Sequence, residues 1–353
     1  MIYLYPENLV VQQAIKMHAN NIVCLVYKRL TGIGCNDSSC KVCPETRKVK
    51  HELSVRIQRY LTRERIDEII RAKPDFLWNV LERFYLSATH FRLSEFNDYI
   101  NFLSIKESDR TIPQKRLISR FKKLNIKLLK VFSYSTFIKK EKKYNAYILS
   151  SKLDKNTCTY CNRNYTNTVV SENGEKIIRP QFDHWYPKKK LSLLALSFYN
   201  LIPSCSTCNT SIKGDQIFKI GVYIHPYLDK INNKDFKFSY RYSSKTKSGF
   251  AIKLLYPNND HVVRRTMRSY KIEEVYNAHT EELKELLKIK QAYSERYLSI
   301  LSSNTYNGLN ISQEELYRLA FGVYYDEKDF SKRPFSKMKK DILKELNIIN
   351  EGE

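Results

Sequence analysis

Four short strings decide the fold: Cys158-Thr159-Tyr160-Cys161, Phe182-Asp183-His184-Trp185-Tyr186-Pro187, Tyr199-Asn200-Leu201-Ile202-Pro203-Ser204 and Cys205-Ser206-Thr207-Cys208-Asn209. The outer pieces are two Cys-x2-Cys pairs, Cys158/Cys161 and Cys205/Cys208. Two such pairs bracketing one compact segment can close a tetrahedral four-cysteine zinc site, with Zn–S near ~2.3 Å. One pair alone would fit chance or redox chemistry; two in one chain point to structural zinc. The Asp-His pair and Asn200 lie between them, and Lys213-Gly214-Asp215 follows the second pair.

Working outward, Tyr165 to Val170, a Ser-Glu-Asn-Gly turn and Ile177 to His184 read as two strands, the second ending at the histidine. A loop through Leu191 to Tyr199 brings in Asn200, and a helix starts near Ser206. Residues 1–150 read as mainly helical and basic. Asn8 to Leu30, Asp75 to Leu86 and Leu93 to Leu103 carry apolar residues at helical spacing, the last entered through Ser94. Pro113 opens a segment reaching Lys130 with seven basic residues and no acid. Leu117, Phe121, Leu124 and Leu128 form its apolar side. Beyond 230, Phe236 to Tyr242 and Gly249 to Tyr256 alternate as a β-hairpin around SSKTKS. Ile272 to Leu301 reads as one or two helices, Ser312 with Glu315 as a capping box for another, and Pro334 precedes a last one. The expected architecture is therefore α+β: a helical region 1–150, a zinc-stabilised centre 151–230, and a hairpin followed by helices in 231–353.

The chain has 353 residues, with 61 Lys+Arg against 37 Asp+Glu and a formal charge of +24. More than half of the excess lies upstream of residue 151. Hydrophobic residues at 42% exclude a disordered chain, and only 19 Gly and Pro together exclude collagen-like and linker-like ones. A pI near 9.5 implies a polyanionic partner, nucleic acid before an anionic membrane surface. No run of 18 apolar residues exists, and the start, MIYLYPENLVVQQ, lacks the basic region of a secretory signal. The expectation is a cytoplasmic protein without a membrane partner, a compartment where paired cysteines bind metal. A second group, Cys35-x4-Cys40-x2-Cys43, would need a fourth ligand from His51 or Cys24 to hold another zinc.

The order CxxC, Asp-His, Asn-Leu, CxxC-Asn, Lys-Gly-Asp resembles the HNH endonucleases, the ββα-metal or His-Me finger family. The match covers roughly residues 156–216. It implies a ββα-metal core and hydrolysis of phosphodiester bonds. His184 would be the general base that activates water. Asp183 and Asn209 would bind the catalytic divalent ion, and Asn200 would brace the loop that orients the base. Asn209 stands where many relatives carry His, which leaves the metal preference open. The Asp-His-x-Tyr-Pro-Lys and Asn-Leu-Ile-Pro-Ser-Cys strings are similar to HNH nucleases of bacterial anti-phage defence, such as the nuclease subunit of Septu-type systems. That likeness implies an effector role beside an ATPase or other sensor protein.

The chemistry is coherent in its own terms. Phosphodiester hydrolysis needs a nucleophilic water, a sink for developing charge, and positioning. An imidazole with an unperturbed pKa of ~6.5 can take the proton. Oxygen ligands suit Mg²⁺ or Mn²⁺ and sulfur ligands suit Zn²⁺, so two metals with separate jobs are expected. Lys188, Lys189, Lys190 and Lys213 would contact phosphate; a solvated charge run is the simpler alternative for the first three. Asn209 could equally cap a helix, and His225 reads as a structural residue at a turn. The basic segment and the aromatics of 131–148 could grip a nucleic-acid backbone, though most of those aromatics read as core. DNA is the expected substrate. An RNA-cleaving toxin on the same scaffold, or a non-catalytic zinc module that binds nucleic acid, are the alternatives.

Overall fold

The hydrophobic spacing of residues 9–31 produces the longest helix. In the computed structural model, which describes residues 1–230, 235–246, 248–293, 297–306, 308 and 311–349, α1 spans Leu9–Thr31. Asn8 caps it by accepting from the Val10 N–H, and Gly32 closes it in the left-handed conformation with φ 87°. Its buried face (Val11, Ala14, Ile15, His18, Ile22, Leu25, Val26) follows the i, i+3, i+4 rule. After α2 (Val42–Glu45) and α3 (Val55–Tyr60), α4 (Arg63–Arg71) packs Ile66, Ile69 and Ile70 against α1. Next come α5 (Leu77–Ala88), α6 (Leu93–Phe102) and α7 (Ile112–Val131). α6 is entered through Arg92, whose N–H is held by the Glu95 carboxylate, and not through Ser94. The glutamate reaches back from the third helical position, a bond Ser94 does not make.

The basic segment is α7, with Thr111 and Gln114 as a capping box and Pro113 in its first turn. Phe121, Asn125, Leu128 and Val131 face inward. Asn125 accepts from the Ser192 N–H at 2.9 Å, so this helix lies over the turn at 192–194. Lys115, Arg116, Lys122, Lys123 and Lys130 are exposed. Arg120 pairs with Glu95 at 2.7 Å, and Lys127 and Lys130 approach Glu52 at 3.5 and 3.8 Å. Beyond it lie α8 (Tyr134–Phe137) and α9 (Ala146–Leu153). Phe132, Phe137, Tyr144 and Tyr147 are buried, as core residues.

The centre carries two short strand pairs. β1 (Val169–Val170) pairs with β2 (Lys176–Ile178), but the expected strand Ile177 to His184 is broken. Pro180 lacks an N–H to extend the first ladder. β3 (Gln181–His184) instead pairs antiparallel with β4 (Leu201–Ser204), with Asp183 opposite Ile202 and His184 opposite Leu201. A seven-residue helix, Thr207–Lys213, follows at once.

β5 (Lys237–Tyr242) and β6 (Phe250–Leu255) form the expected hairpin; Lys247 of its turn lies outside the described residues. The helices after it are α10 (His261–Ser269), α11 (Ile272–Tyr276), α12 (Thr280–Tyr293), α13 (Tyr297–Ile300), α14 (Gln313–Phe321) and α15 (Ser336–Glu345). Positions 294–296 of the expected 272–301 helix lie outside the described residues. Ser312 and Glu315 do form a capping box on α14. The mixed α+β architecture is thus mostly helix with three two-stranded sheets among the described residues. One continuous core runs from Leu4 to Ile349, so all three segments share it. No helix among the described residues is long and apolar enough to cross a membrane.

Candidate functional site

Two groups of four cysteines bring their sulfurs within 4.8 Å of one another, and each could hold a zinc ion. The buried one is Cys158, Cys161, Cys205 and Cys208, as the spacing predicts. A tetrahedron with Zn–S of ~2.3 Å places its sulfurs about 3.8 Å apart, so the cluster has the right size. The backbone around it is arranged for ligation. Asn162 turns the first pair with φ 50° and donates its N–H to the Cys158 carbonyl at 2.8 Å. Two segments remote in sequence grip this loop: Ile2 N–H bonds the Thr159 carbonyl, and Phe335 N–H bonds that of Asn162, each at 2.8 Å. The Tyr276 hydroxyl donates to the Cys161 carbonyl at 2.6 Å. The second pair sits where β4 runs into the 207–213 helix, so the cluster fixes that junction.

The β3–β4 hairpin and this helix position every residue of the central motif. Side chains alternate along β3, so Gln181 and Asp183 share one face and Phe182 and His184 the other. The helix covers the first face. Asn209 donates its amide to Gln181 Oε1 at 2.8 Å. One turn later Lys213 reaches Asp183, with Nζ 3.2 Å from Oδ2 and 3.3 Å from Oδ1. The same ammonium donates to the His184 carbonyl at 2.7 Å, and the Tyr160 hydroxyl donates to Asp183 Oδ2 at 2.6 Å. Burial raises the Asp183 carboxyl above its usual range, opposed by Lys213 and Tyr160.

His184 occupies the other face. Its Nε2 lies 3.0 Å from the Ala195 carbonyl oxygen. A carbonyl only accepts, so Nε2 carries the hydrogen and Nδ1 keeps its lone pair. Burial, reinforced by Lys188, holds this imidazole well below its ordinary pKa and therefore neutral. The ring stands edge-on to Tyr134 of α8, centroids 4.5 Å apart. The Lys188 ammonium lies over the ring of the same tyrosine, 5.1 Å from its centroid.

Asn200 is fully buried and clamps the intervening loop. Its oxygen accepts from the Tyr186 N–H at 2.7 Å, and its amide donates to the Tyr186 and Leu194 carbonyls at 3.1 and 2.8 Å. Ala195 follows Leu194 directly, so the clamp also sets the carbonyl that orients His184.

The structure therefore brings Asp183, Asn209 and Lys213 to one face and His184 to the other. Asp183 and Asn209 have the donor types for Mg²⁺ or Mn²⁺, but their placement does not offer an open site. Both carboxylate oxygens are bonded by Lys213, and Asn209 points its amide at Gln181. Lys213, expected at phosphate, is instead 1% exposed and spent on Asp183. Lys189 is exposed and Lys188 half-buried with its ammonium over Tyr134, whereas Lys190 donates to the Asp215 carbonyl at 2.7 Å. His225 is a buried structural residue whose Nδ1 accepts from the Tyr227 N–H at 3.2 Å. Tyr134, Tyr160 and the Ala195 carbonyl were not foreseen. Tyr134 arrives from the N-terminal region, and nothing local to the motif signals it. Comparison of the chain with family profiles, with curated proteins and with solved structures finds no match.

Proposed function

We propose that this protein is an HNH-type endonuclease that hydrolyses DNA phosphodiester bonds with His184 as general base. The observation that carries the reading is the bond from His184 to the Ala195 carbonyl. It holds the ring in the tautomer whose Nδ1 can accept a proton from water, and burial keeps that ring neutral at physiological pH. Lys188 and Lys189 beside it supply positive charge for a phosphate, and Tyr134 fences one side of the imidazole. The ββα order of β3, β4 and the 207–213 helix fits the same reading, with a structural zinc at the central cysteines tying strand to helix.

Dependence on Mg²⁺ or Mn²⁺ is the part of the proposal that Lys213 governs, because its ammonium already neutralises Asp183. A role in bacterial anti-phage defence, with an ATPase or other sensor as partner, is supported by the sequence resemblance alone. The exposed cations of α7 support a nucleic-acid partner.

Incubation of the purified chain with supercoiled plasmid, linear DNA and total RNA, in Mg²⁺, Mn²⁺ or EDTA, tests the reading. Cutting of DNA is the expected result, and its response to Mg²⁺, Mn²⁺ and EDTA shows whether a cation displaces Lys213 from Asp183. Cutting of RNA only would establish the RNA-cleaving toxin instead. Binding to both without cutting would favour a zinc module, the second reading, which the structural use of Asp183 by Lys213 also suits.

A further inference from the structure

We infer that Cys24, Cys35, Cys40 and Cys43 hold a second Zn²⁺, which fastens the loop after α1 back onto that helix. The inference is independent of any nuclease activity. α1 contributes Cys24 from its own surface. Gly32 then reverses the chain in a conformation that L side chains rarely adopt, and the segment 33–41 delivers Cys35 and Cys40 before α2 delivers Cys43. All four sulfurs lie within 4.8 Å of one another.

The pattern is that of a tetrathiolate site and not of a disulfide. The Cys35 and Cys43 sulfurs are 3.4 Å apart, far beyond the ~2.05 Å of a covalent bond and close to the separation in a zinc tetrahedron. A redox pair needs two thiols; here four converge. The Cys35 N–H also donates to the Cys43 sulfur at 3.4 Å, so backbone as well as side chain draws these two residues together.

Charge gives a second, independent observation. Zinc with four thiolates carries a net charge of about −2, which requires compensation where it is partly buried. Arg63 of α4 places Nη1 3.9 Å from the Cys24 sulfur and bonds the Gly34 carbonyl with Nη2. Lys28 of α1 bonds the Cys43 carbonyl. Two cations from two helices thus converge on the backbone around the four sulfurs, where they would also offset the charge of a zinc tetrathiolate. His51, the other expected fourth ligand, is used elsewhere, its Nε2 lying 2.8 Å from the Leu30 carbonyl oxygen.

Elemental analysis of the full chain tests this directly. The expected content is two zinc ions per chain, falling to one in Cys35→Ser/Cys40→Ser. Cobalt titration of the demetallated wild-type chain covers the case in which that variant does not fold: thiolate–cobalt charge-transfer absorbance should saturate at two equivalents. One zinc per wild-type chain, saturation at one equivalent, a disulfide within this group, or an unchanged count of two in the double variant would overturn the inference.

Discussion

The imidazole of His184 and the main-chain oxygen of Ala195 meet at 3.0 Å, across the loop that separates β3 from β4. That contact decides which ring nitrogen is free, and it depends on a residue eleven positions away holding its carbonyl in place. Asn200 provides the hold, through three bonds to Tyr186 and Leu194.

Asn200→Ala should therefore cost both stability and activity. It strands the N–H and the carbonyl of Tyr186 in a buried loop, whereas the Leu194 carbonyl keeps its bond from the Ser197 N–H; at about 1–3 kcal/mol for each buried group left unpaired the loss is about 2–6 kcal/mol in all. Urea unfolding of the variant checks this. Cleavage should fall even where the fold persists, because the Ala195 carbonyl is no longer fixed. A loss below about 1 kcal/mol would show that the clamp does not matter.

The Lys213–Asp183 pair makes a different prediction. Both side chains are almost wholly buried, so Lys213→Met leaves an uncompensated carboxylate and should destabilise by about 3–5 kcal/mol. Adding Asp183→Asn should restore part of that loss. Lys213→Met alone should also gain more thermal stability from Mn²⁺ than the wild type does, since the Asp183 carboxylate is then available to a cation. Equal Mn²⁺ responses would mean that Lys213 does not govern access to Asp183.

His18 sets an acid limit on the fold. It sits inside α1, bonded to Tyr144 and to the Leu196 carbonyl, and burial pulls its pKa down to about 4. The unfolded chain, with a histidine pKa of ~6.5, binds the proton first as pH falls, so acidification destabilises the folded state across that window. Between about pH 7 and pH 5 this one residue should remove about 2 kcal/mol. Denaturation of wild type beside His18→Gln measures it; the variant should lose less on acidification, and parallel curves would refute the assignment.

Cys208→Ser should release zinc from the central cluster and lower the melting temperature, because the cluster joins β4 to the helix carrying Lys213. Zinc analysis with a melting curve on the same preparation reads both effects. Zinc retained at the wild-type level would argue against this residue as a ligand.

Much of this was legible in residue spacing. The central cysteines, the β5–β6 hairpin, α1 and the Ser312 capping box all carry local signals, and the structure bears them out. The strand expected over Ile177 to His184 breaks at Pro180, which cannot donate to the β1–β2 ladder, so Gln181–His184 pairs with β4 instead. The fate of Lys213 was missed for a different reason. A lysine after a zinc pair reads as exposed, and only the helix lying across β3 turns it onto Asp183. Cys24 could be named only as one of two options, since its approach to Cys35, Cys40 and Cys43 depends on the reversal at Gly32.

The central claim is that His184 takes the proton from the attacking water. Its most direct test is plasmid cleavage by wild type and His184→Ala, matched for zinc content and melting temperature. The account predicts that the variant still binds DNA but cuts it about 100-fold more slowly or less. Cleavage at the wild-type rate by a folded, zinc-loaded variant would contradict it.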